Sequence, residues 1–260
     1  MLDSVKSALV RSRLYGALAF GFVGPHGDLA YGQVSQESAE EFAVSLKNLY
    51  GSEDLTDAWS RLQSAWEAAR NTDTQERLHD TYCELFVNLH PGAGVPPYET
   101  EYTSGTNDFL KNQDLADLMG FYRAFGLDLG QGERLSERPD HIAVELEFLH
   151  FLCWKEAFAC TKAVAEHIEV CQDAERKFLR DHLGRWVDRF TERVEGSTRE
   201  EFFLAIASLL RKAVRQEAAL LEVTLEPLPC LPVLPATPGN SMDCELGFSC
   251  PLGNERETGI

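Results

Sequence analysis

An all-α fold is what this sequence predicts, as a single globular, bundle-like domain of about eight helices with a C-terminal tail containing proline and cysteine. Apolar residues recur with helical spacing along most of the chain. Capping-box patterns occur at the start of several of these stretches, and glycines that could end a helix follow several of them. We find no series of alternating strands separated by hairpin turns, which argues against a β-rich fold.

The periodic stretches define the predicted helices. In chain order they cover residues 3–22, 36–50, 54–70, 73–89, 106–125, 139–169, 172–194 and 198–223. The 139–169 stretch is long enough to divide in two. Capping boxes are predicted at Ser38–Glu41, Thr72–Gln75 and Ser197–Glu200. Left-handed stops are predicted at Gly51, Gly126 and Gly196.

The composition predicts that the chain has two parts, a helical domain and a tail. Residues 1–224 are predicted to form the helical domain and residues 225–260 an extended, flexible tail, because prolines become frequent and helix formers rare. The tail carries Cys230, Cys244 and Cys250 but no C-x-x-C pair and no histidine. A zinc site there has weak support, and free thiols are the alternative.

Charge and cysteine content limit the classes of partner. The formal net charge of −18 disfavours nucleic acid and anionic membranes and favours basic partners. The N-terminus lacks a secretory signal, and no apolar run is long enough to span a bilayer. The cysteines number seven, an odd count without a disulfide framework. We therefore expect a cytoplasmic protein.

An aromatic and aliphatic stripe precedes the first long loop. Tyr82, Leu85, Phe86 and Leu89 share one helical face, and the segment from His90 to Glu99 is too rich in proline and glycine to continue a helix. Core packing would explain the stripe. A stripe at the mouth of a loop could also line a groove for an apolar peptide helix.

A second loop, from Leu127 to Arg138, leads into the sequence Pro139-Asp140-His141. Pro139 suits the first turn of a helix. Glu145 lies on or beside the apolar stripe of that helix and needs a donor, which His141, one turn back, could supply. A surface cap and a functional site are both compatible with this spacing.

The chain offers one pattern typical of metal enzymes. Glu76-x-x-His79 and Glu147-x-x-His150 each place a carboxylate and an imidazole one helical turn apart, as di-iron carboxylate bundles require. Such sites also need glutamates from two other helices, for which no spacing rule offers candidates. Nucleophile elbows, cysteine-protease signatures and phosphate-binding glycine loops are absent from the sequence, so we predict no catalytic residues, no metal and no enzyme activity.

The two motifs occur in the order and spacing of a known family. Tyr82-x-x-Leu85-Phe86, the loop Pro96-Pro97-Tyr98-Glu99, and Pro139-Asp140-His141 with Glu145-x-x-Phe148-Leu149 resemble the TorD/DmsD family of redox-enzyme maturation chaperones, with NarJ-type proteins as more distant relatives. The resemblance covers roughly residues 5–222. Tyr82 stands where some members have tryptophan, and Pro139 directly precedes Asp140 where others insert a residue.

The resemblance implies a cytoplasmic chaperone, itself without a cofactor, for a molybdopterin oxidoreductase of the dimethyl sulfoxide reductase family. Such a chaperone binds the cofactor-free catalytic subunit and its twin-arginine signal peptide, assists cofactor insertion and delays export. The implied peptide-binding residues are Tyr82, Leu85, Phe86, Pro96, Tyr98, Glu99, Pro139, Asp140, His141 and Glu145. A general helical interaction module and a homodimer formed by exchange of helices remain open, and the client enzyme is not specified.

Overall fold

A computed structural model describes residues 2–23, 36–89, 94–103, 107–127 and 138–228. The all-α prediction is confirmed, since these residues are helical apart from connections and one isolated β-bridge. The helices are α1 Leu2–Phe22, α2 Gln36–Tyr50, α3 Glu53–Ala68, α4 Thr72–Tyr82, α5 Thr100–Thr103, α6 Asp108–Ala124, α7 Ile142–Lys162, α8 Ala165–Phe178, α9 Gly184–Ser197 and α10 Glu201–Leu220.

The predicted tail falls almost entirely outside the described residues, and so do Cys230, Cys244 and Cys250. The boundary at residue 224 therefore stays a prediction. Within the described residues, none of the helices combines the length and apolarity that a bilayer span requires.

Most helix ends differ by a few residues from their predicted positions, but the predicted break between residues 169 and 172 is wrong, because α8 continues through it. The predicted 139–169 helix divides at Ala163, which adopts a left-handed conformation with φ of 54° and lies between α7 and α8. Gly51 and Gly126 follow helices with φ of +64° and +77°, as the stop pattern predicts. Gly196 is wrong as a stop because it lies within α9.

The three predicted capping boxes are wrong, because neighbouring residues cap or start these helices. Ser38 lies inside α2, Ser197 is the last residue of α9, and Thr72 is the first residue of α4. Asn71 caps α4 instead, since its side chain accepts the Asp73 N–H at 2.9 Å. An asparagine amide oxygen does this as well as a hydroxyl does.

The hydrophobic core lies where α1 and α7 pack against each other and where α10 packs against α3 and α9. Large apolar side chains from every layer are fully buried there, among them Leu18, Trp59, Leu149, Phe178 and Phe203. Burial of each such side chain stabilises the fold by about 1.5–3 kcal/mol relative to its exposed state. The resulting framework holds the loops that carry the predicted motifs.

Two helices change to wider π-helical turns next to these loops. α4 continues as a π-turn over Cys83–Val87, and α8 joins α9 through a π-turn over Leu179–Leu183. Such turns contain one extra residue and occur frequently at functional sites. At the second turn a Cβ on Gly184 would lie 2.3 Å from the Leu179 carbonyl oxygen, so only glycine fits there.

Candidate functional site

The two predicted loop motifs meet in space and form a loop junction, defined here as residues 95–100 together with 138–142. Tyr98 and His141 form an antiparallel β-bridge. The Glu99 N–H donates to the Asp140 carbonyl at 2.9 Å, and the Ile142 N–H donates to the Pro97 carbonyl at 2.8 Å. Residues 41 and 45 positions apart in sequence are therefore held together by backbone hydrogen bonds.

Asp140 is the centre of the loop junction and is fully buried. Its carboxylate accepts hydrogen bonds from Arg138 at 2.8 and 3.0 Å, from the Thr100 hydroxyl at 2.8 Å and from the Thr100 N–H at 3.3 Å. The Arg138 guanidinium also lies 4.1 Å from the centre of the Tyr98 ring. This cation–π contact ties the outer side of the junction to its buried acid.

His141 caps α7 rather than bonding to Glu145. Its Nδ1 accepts the Ala143 N–H at 3.2 Å, which requires an unprotonated Nδ1. Pro139 lies in the preceding turn, so its predicted place in the first helical turn is wrong. The Pro139 carbonyl accepts the Tyr122 hydroxyl at 2.7 Å, which anchors the junction to α6.

Glu145 finds its donor on α9, where the Trp186 indole N–H lies 3.3 Å from one carboxyl oxygen. The other oxygen is buried and has no hydrogen-bond partner among the described residues. Burial raises the pKa of Glu145 well above its usual value, and the nearby charge of Glu99 adds to this effect. Both influences favour the protonated carboxyl group.

Glu99 is also buried, and His182 from the second π-turn lies beside it with Nδ1 at 3.1 Å. Burial raises the pKa of Glu99, while the hydrogen bond to His182 acts in the opposite direction. Burial lowers the pKa of His182, but the hydrogen bond to Glu99 and the charges of Glu99, Asp117 and Asp181 together outweigh it, so the pKa is raised. Asp117 of α6 lies 3.3 Å from the other ring nitrogen.

Sequence reasoning missed Thr100, Arg138, His182 and Trp186. Arg138 lies two residues before Asp140, a spacing that could have identified it. His182 and Trp186 lie 83 and 41 residues from their partners, on a helix that no motif connects to the loops. Only the packed fold brings them to the junction.

The predicted stripe lies mostly in the core. Leu85 and Phe86 are 3% and 5% exposed, and the Phe86 ring packs against Phe22, Phe190 and Phe203. The Leu85 carbonyl accepts the Val95 N–H at 2.6 Å, so the stripe holds the start of the loop junction. Direct contact with a peptide remains a prediction for both residues.

Tyr82 is half-buried and Leu89 is exposed, unlike Leu85 and Phe86. Its hydroxyl donates to the Phe22 carbonyl at 3.4 Å, at the C-terminal end of α1. The next residue, Val23, lines an apolar groove of about 620 Å³ between α1 and α7. Tyr122, which holds Pro139, lines the same groove.

The groove therefore adjoins residues that hold Tyr82 and Pro139 in place. Its lining residues are Gly16, Ala19, Phe20, Val23, Tyr122, Leu127, Val144, Glu147, Phe148, His150 and Phe151. Most of these side chains are apolar, and Glu147 is the one carboxylate among the described lining residues. A volume of this size suits a few apolar side chains of a ligand.

The di-iron hypothesis has no support in the described residues, where no group of three or more ligating side chains could hold a metal ion. Glu76 and His79 are exposed on α4, and His79 lies 3.7 Å from the Cys83 sulfur. His150 is engaged by Ser12 of α1, whose hydroxyl and carbonyl oxygens lie 2.9 and 2.8 Å from Nδ1. Among the described residues, neither E-x-x-H pair joins a larger group of ligating side chains.

A second group of buried charges lies away from the loops and is called here the Arg11 cluster. Arg11 of α1 bonds to Glu156 of α7 at 2.8 Å, to Glu217 of α10 at 3.0 Å and to Glu175 of α8. The Tyr50 hydroxyl also donates to Glu217. Burial raises the pKa of Glu175 to about 7, although the Arg11 charge acts in the opposite direction.

Comparison with known proteins gives the family to which this chain belongs. A family model described as the nitrate reductase delta subunit matches residues 50–192, just over half of the chain. The perchlorate reductase assembly chaperone protein of Dechloromonas aromatica (strain RCB) is 28% identical over 233 residues, which cover 87% of this chain and 95% of that protein.

Two further relatives agree. The chlorate reductase assembly chaperone protein of Ideonella dechloratans is 41% identical over 145 residues, covering 54% of this chain and 69% of that protein. Chaperone protein TorD of Vibrio parahaemolyticus is 28% identical over 169 residues, covering 65% and 73%. The chain belongs to the nitrate reductase delta subunit family, which includes the TorD-type redox-enzyme maturation chaperones. It is thus a maturation chaperone and not an enzyme.

Proposed function

We propose that this protein is the dedicated cytoplasmic chaperone of one molybdopterin reductase, binding its cofactor-free catalytic subunit and its twin-arginine signal peptide. Binding assists cofactor insertion and delays export. The names of the relatives support a reductase as the client, because two of them are assembly chaperones for perchlorate and chlorate reductase. The resemblance of the loop motifs supports the signal peptide as a ligand.

The observation that carries the peptide-binding proposal is the apolar groove, which adjoins the residues that hold Tyr82 and Pro139. Tyr82 is anchored to Phe22 at one border, and Pro139 is anchored to Tyr122 at another. A twin-arginine signal combines a basic region with an apolar one. An acidic protein with an apolar groove suits both regions.

Burial divides the proposed binding residues into two roles. Tyr82, Pro96, Tyr98 and Pro139 are partly exposed and are proposed to contact the client. The remaining members are buried and are proposed to position those contacts, namely Leu85, Phe86, Glu99, Asp140, His141 and Glu145. Apolar contacts are expected to set affinity, because one buried leucine-sized group contributes about 1.5–3 kcal/mol and an exposed ion pair about 0–1.

Calorimetry with the client's synthetic signal peptide and with its cofactor-free subunit tests the proposal. The client is chosen as the reductase whose gene neighbours that of the chaperone. We expect saturable binding of both ligands, and a host lacking the chaperone should accumulate reductase without cofactor. Absence of binding to either ligand would contradict the proposal, whereas binding to unrelated helical proteins alone would favour a general interaction module.

Oligomeric state is a separate part of the proposal. A homodimer formed by exchange of helices remains proposed, and sedimentation velocity across a range of protein concentrations measures it. A single monomeric species at all concentrations would exclude it.

A further inference from the structure

The apolar groove continues along α7 into an exposed aromatic pair. Trp154 and Phe158 follow Phe151 by three and seven residues, so all three side chains lie on one face of the helix. The rings of Trp154 and Phe158 are stacked, with centroids 6.1 Å apart and an interplanar angle of 13°. We call the groove together with these two rings the α1–α7 furrow.

The exposed rings have no structural role in the core. Trp154 and Phe158 are 51% and 54% exposed, although burial of such side chains is strongly favourable. Leu9 of α1 is also exposed. It lies seven residues before Gly16, whose Cα faces His150, and thus on the same side of α1 as the groove. Apolar surface of this extent typically marks a binding site.

Charges differ between the two ends of the furrow. Glu147 lines the groove end. At the other end Lys162 lies 5.5 Å from the Phe158 ring, and between them Lys155 lies 5.2 Å from the Phe151 ring. Lysines are notable here because the whole chain carries a net charge of −18. The furrow therefore carries negative charge at the groove end and positive charge towards its other end.

We propose that the α1–α7 furrow binds the apolar helical part of the client's signal peptide, with the arginines toward Glu147 and the helix C-terminus toward Lys155 and Lys162. This inference rests on the proposed function. A signal has its basic region before its apolar region, and the carboxyl end of a helix carries partial negative charge. In this orientation the basic end of the peptide faces the carboxylate and the negative end of its helix faces the lysines. In the reverse orientation each end would face a like charge.

Length and shape agree with this occupant. Glu147 and Phe158 are eleven residues apart, or roughly 17 Å along the helix at 1.5 Å per residue. An apolar region of 7–15 residues is typical of signal peptides. A second copy of the chain fits less well, because it would present another concave groove instead of a protruding helix that fills this one.

Trp154 supplies a direct probe. It is the exposed member of four tryptophans, since Trp59, Trp66 and Trp186 are buried. Adding the synthetic signal peptide should shift the emission of Trp154 to shorter wavelength and protect it from acrylamide. In Trp154→Phe the peptide should still bind by calorimetry, and the fluorescence response should disappear.

Matched variants measure the contribution of the aromatic pair. Trp154→Glu and Phe158→Glu should each raise the Kd for the peptide at least about 10-fold, as expected for aromatic anchors. Phe109→Glu is the control, because Phe109 is 75% exposed at the start of α6, about 20 Å of helix away from Tyr122. Its Kd should stay within about twofold of wild type. Circular dichroism verifies that each variant is folded.

The orientation has its own test. Glu147→Gln should weaken binding of the natural peptide several-fold but leave unchanged the binding of a peptide whose two arginines are replaced by glutamine. Equal losses with both peptides would overturn the orientation.

The outcomes separate this inference from the function on which it rests. If wild type binds the peptide by calorimetry while Trp154 emission and the Trp154→Glu affinity stay unchanged, the furrow is wrong and the function remains. Absence of wild-type binding would contradict the function itself. Concentration-dependent protection of Trp154 without peptide, together with dimers in sedimentation, would assign the furrow to a second copy and overturn the proposal.

Discussion

The loop junction and the Arg11 cluster both bury carboxylates, but they neutralise them differently. At the junction, Asp140 is served by Arg138, which is partly exposed, and Glu145 by the neutral Trp186 indole. In the Arg11 cluster, one buried guanidinium serves three carboxylates on three helices. The first arrangement positions a surface loop. The second joins the helices themselves.

The largest expected effect comes from removing the shared cation. Arg11→Met should destabilise the protein by about 3–5 kcal/mol, because three buried carboxylates lose their common partner. Urea denaturation at pH 7 measures this change. Arg61→Met is the control, since the Arg61–Glu201 pair is exposed and should contribute about 0–1 kcal/mol. Equal losses in the two variants would contradict the contrast between buried and surface pairs.

At the loop junction, Asp140→Ala should destabilise by about 1–3 kcal/mol, because the buried Thr100 hydroxyl and N–H lose their acceptor. Hydrogen exchange should show faster opening in residues 95–100 while α3 and α10 keep their protection. The exposed Asp173, paired with Lys177, is the control for Asp→Ala. Uniform loss of protection across the fold would mean that the junction also joins the helices.

The stability of the Arg11 cluster is expected to depend on pH through Glu175. The pKa of Glu175 is about 7 in the folded protein against an ordinary value of 4.5, so the folded state binds the proton more tightly. The stabilisation is complete below about pH 4.5 and is lost as the pH rises through about 7. The other charged or titratable groups in this environment include Arg11, Tyr50, Cys153, Glu156, Cys171 and Glu217.

Glu175→Gln mimics the protonated form and should remove most of this dependence. Above pH 8 we expect the variant to be about 1–2 kcal/mol more stable than wild type, with a flatter stability profile between pH 5 and 8. Denaturation midpoints across this range supply the measurement. A variant profile as steep as that of wild type would assign the titration to another group.

The smallest effect concerns the cap of α7. His141→Ala should cost about 1 kcal/mol, because the Ala143 N–H loses its acceptor. Amide exchange at Ala143 should accelerate. His167→Ala, at an exposed position of α8, should leave stability within about 0.5 kcal/mol of wild type. Unchanged exchange at Ala143 would indicate that water replaces the imidazole.

Sequence patterns were enough to predict most helices, because the spacing of apolar residues along a helix is visible within a short segment of the chain. They failed at the helix starts, where Asn71 and His141 take the place expected of Thr72 and Pro139. The approach of the two loops could be anticipated from the family motifs. The bonds inside the junction could not, because His182 and Trp186 come from a helix remote in sequence.

The Arg11 cluster illustrates the same limit more strongly. Its partners lie 145, 164 and 206 residues from Arg11 along the chain. A single arginine in an amphipathic helix is indistinguishable by local pattern from a surface residue. Only the packing of α1 against α7 turns it inward.

The π-turn over Leu179–Leu183 makes the site sensitive to chain length as well as to side-chain identity. Deleting one residue there, such as the exposed Arg180, would let the turn close into a regular α-helix, while the helices before and after it would keep nearly the same relative orientation, because the extra residue is accommodated within the turn. Trp186, beyond the turn, would then stay within reach of Glu145, whereas His182, inside the turn, would shift relative to Glu99. A one-residue deletion that costs little helical content would thus act on the Glu99 contact and spare the Glu145 contact.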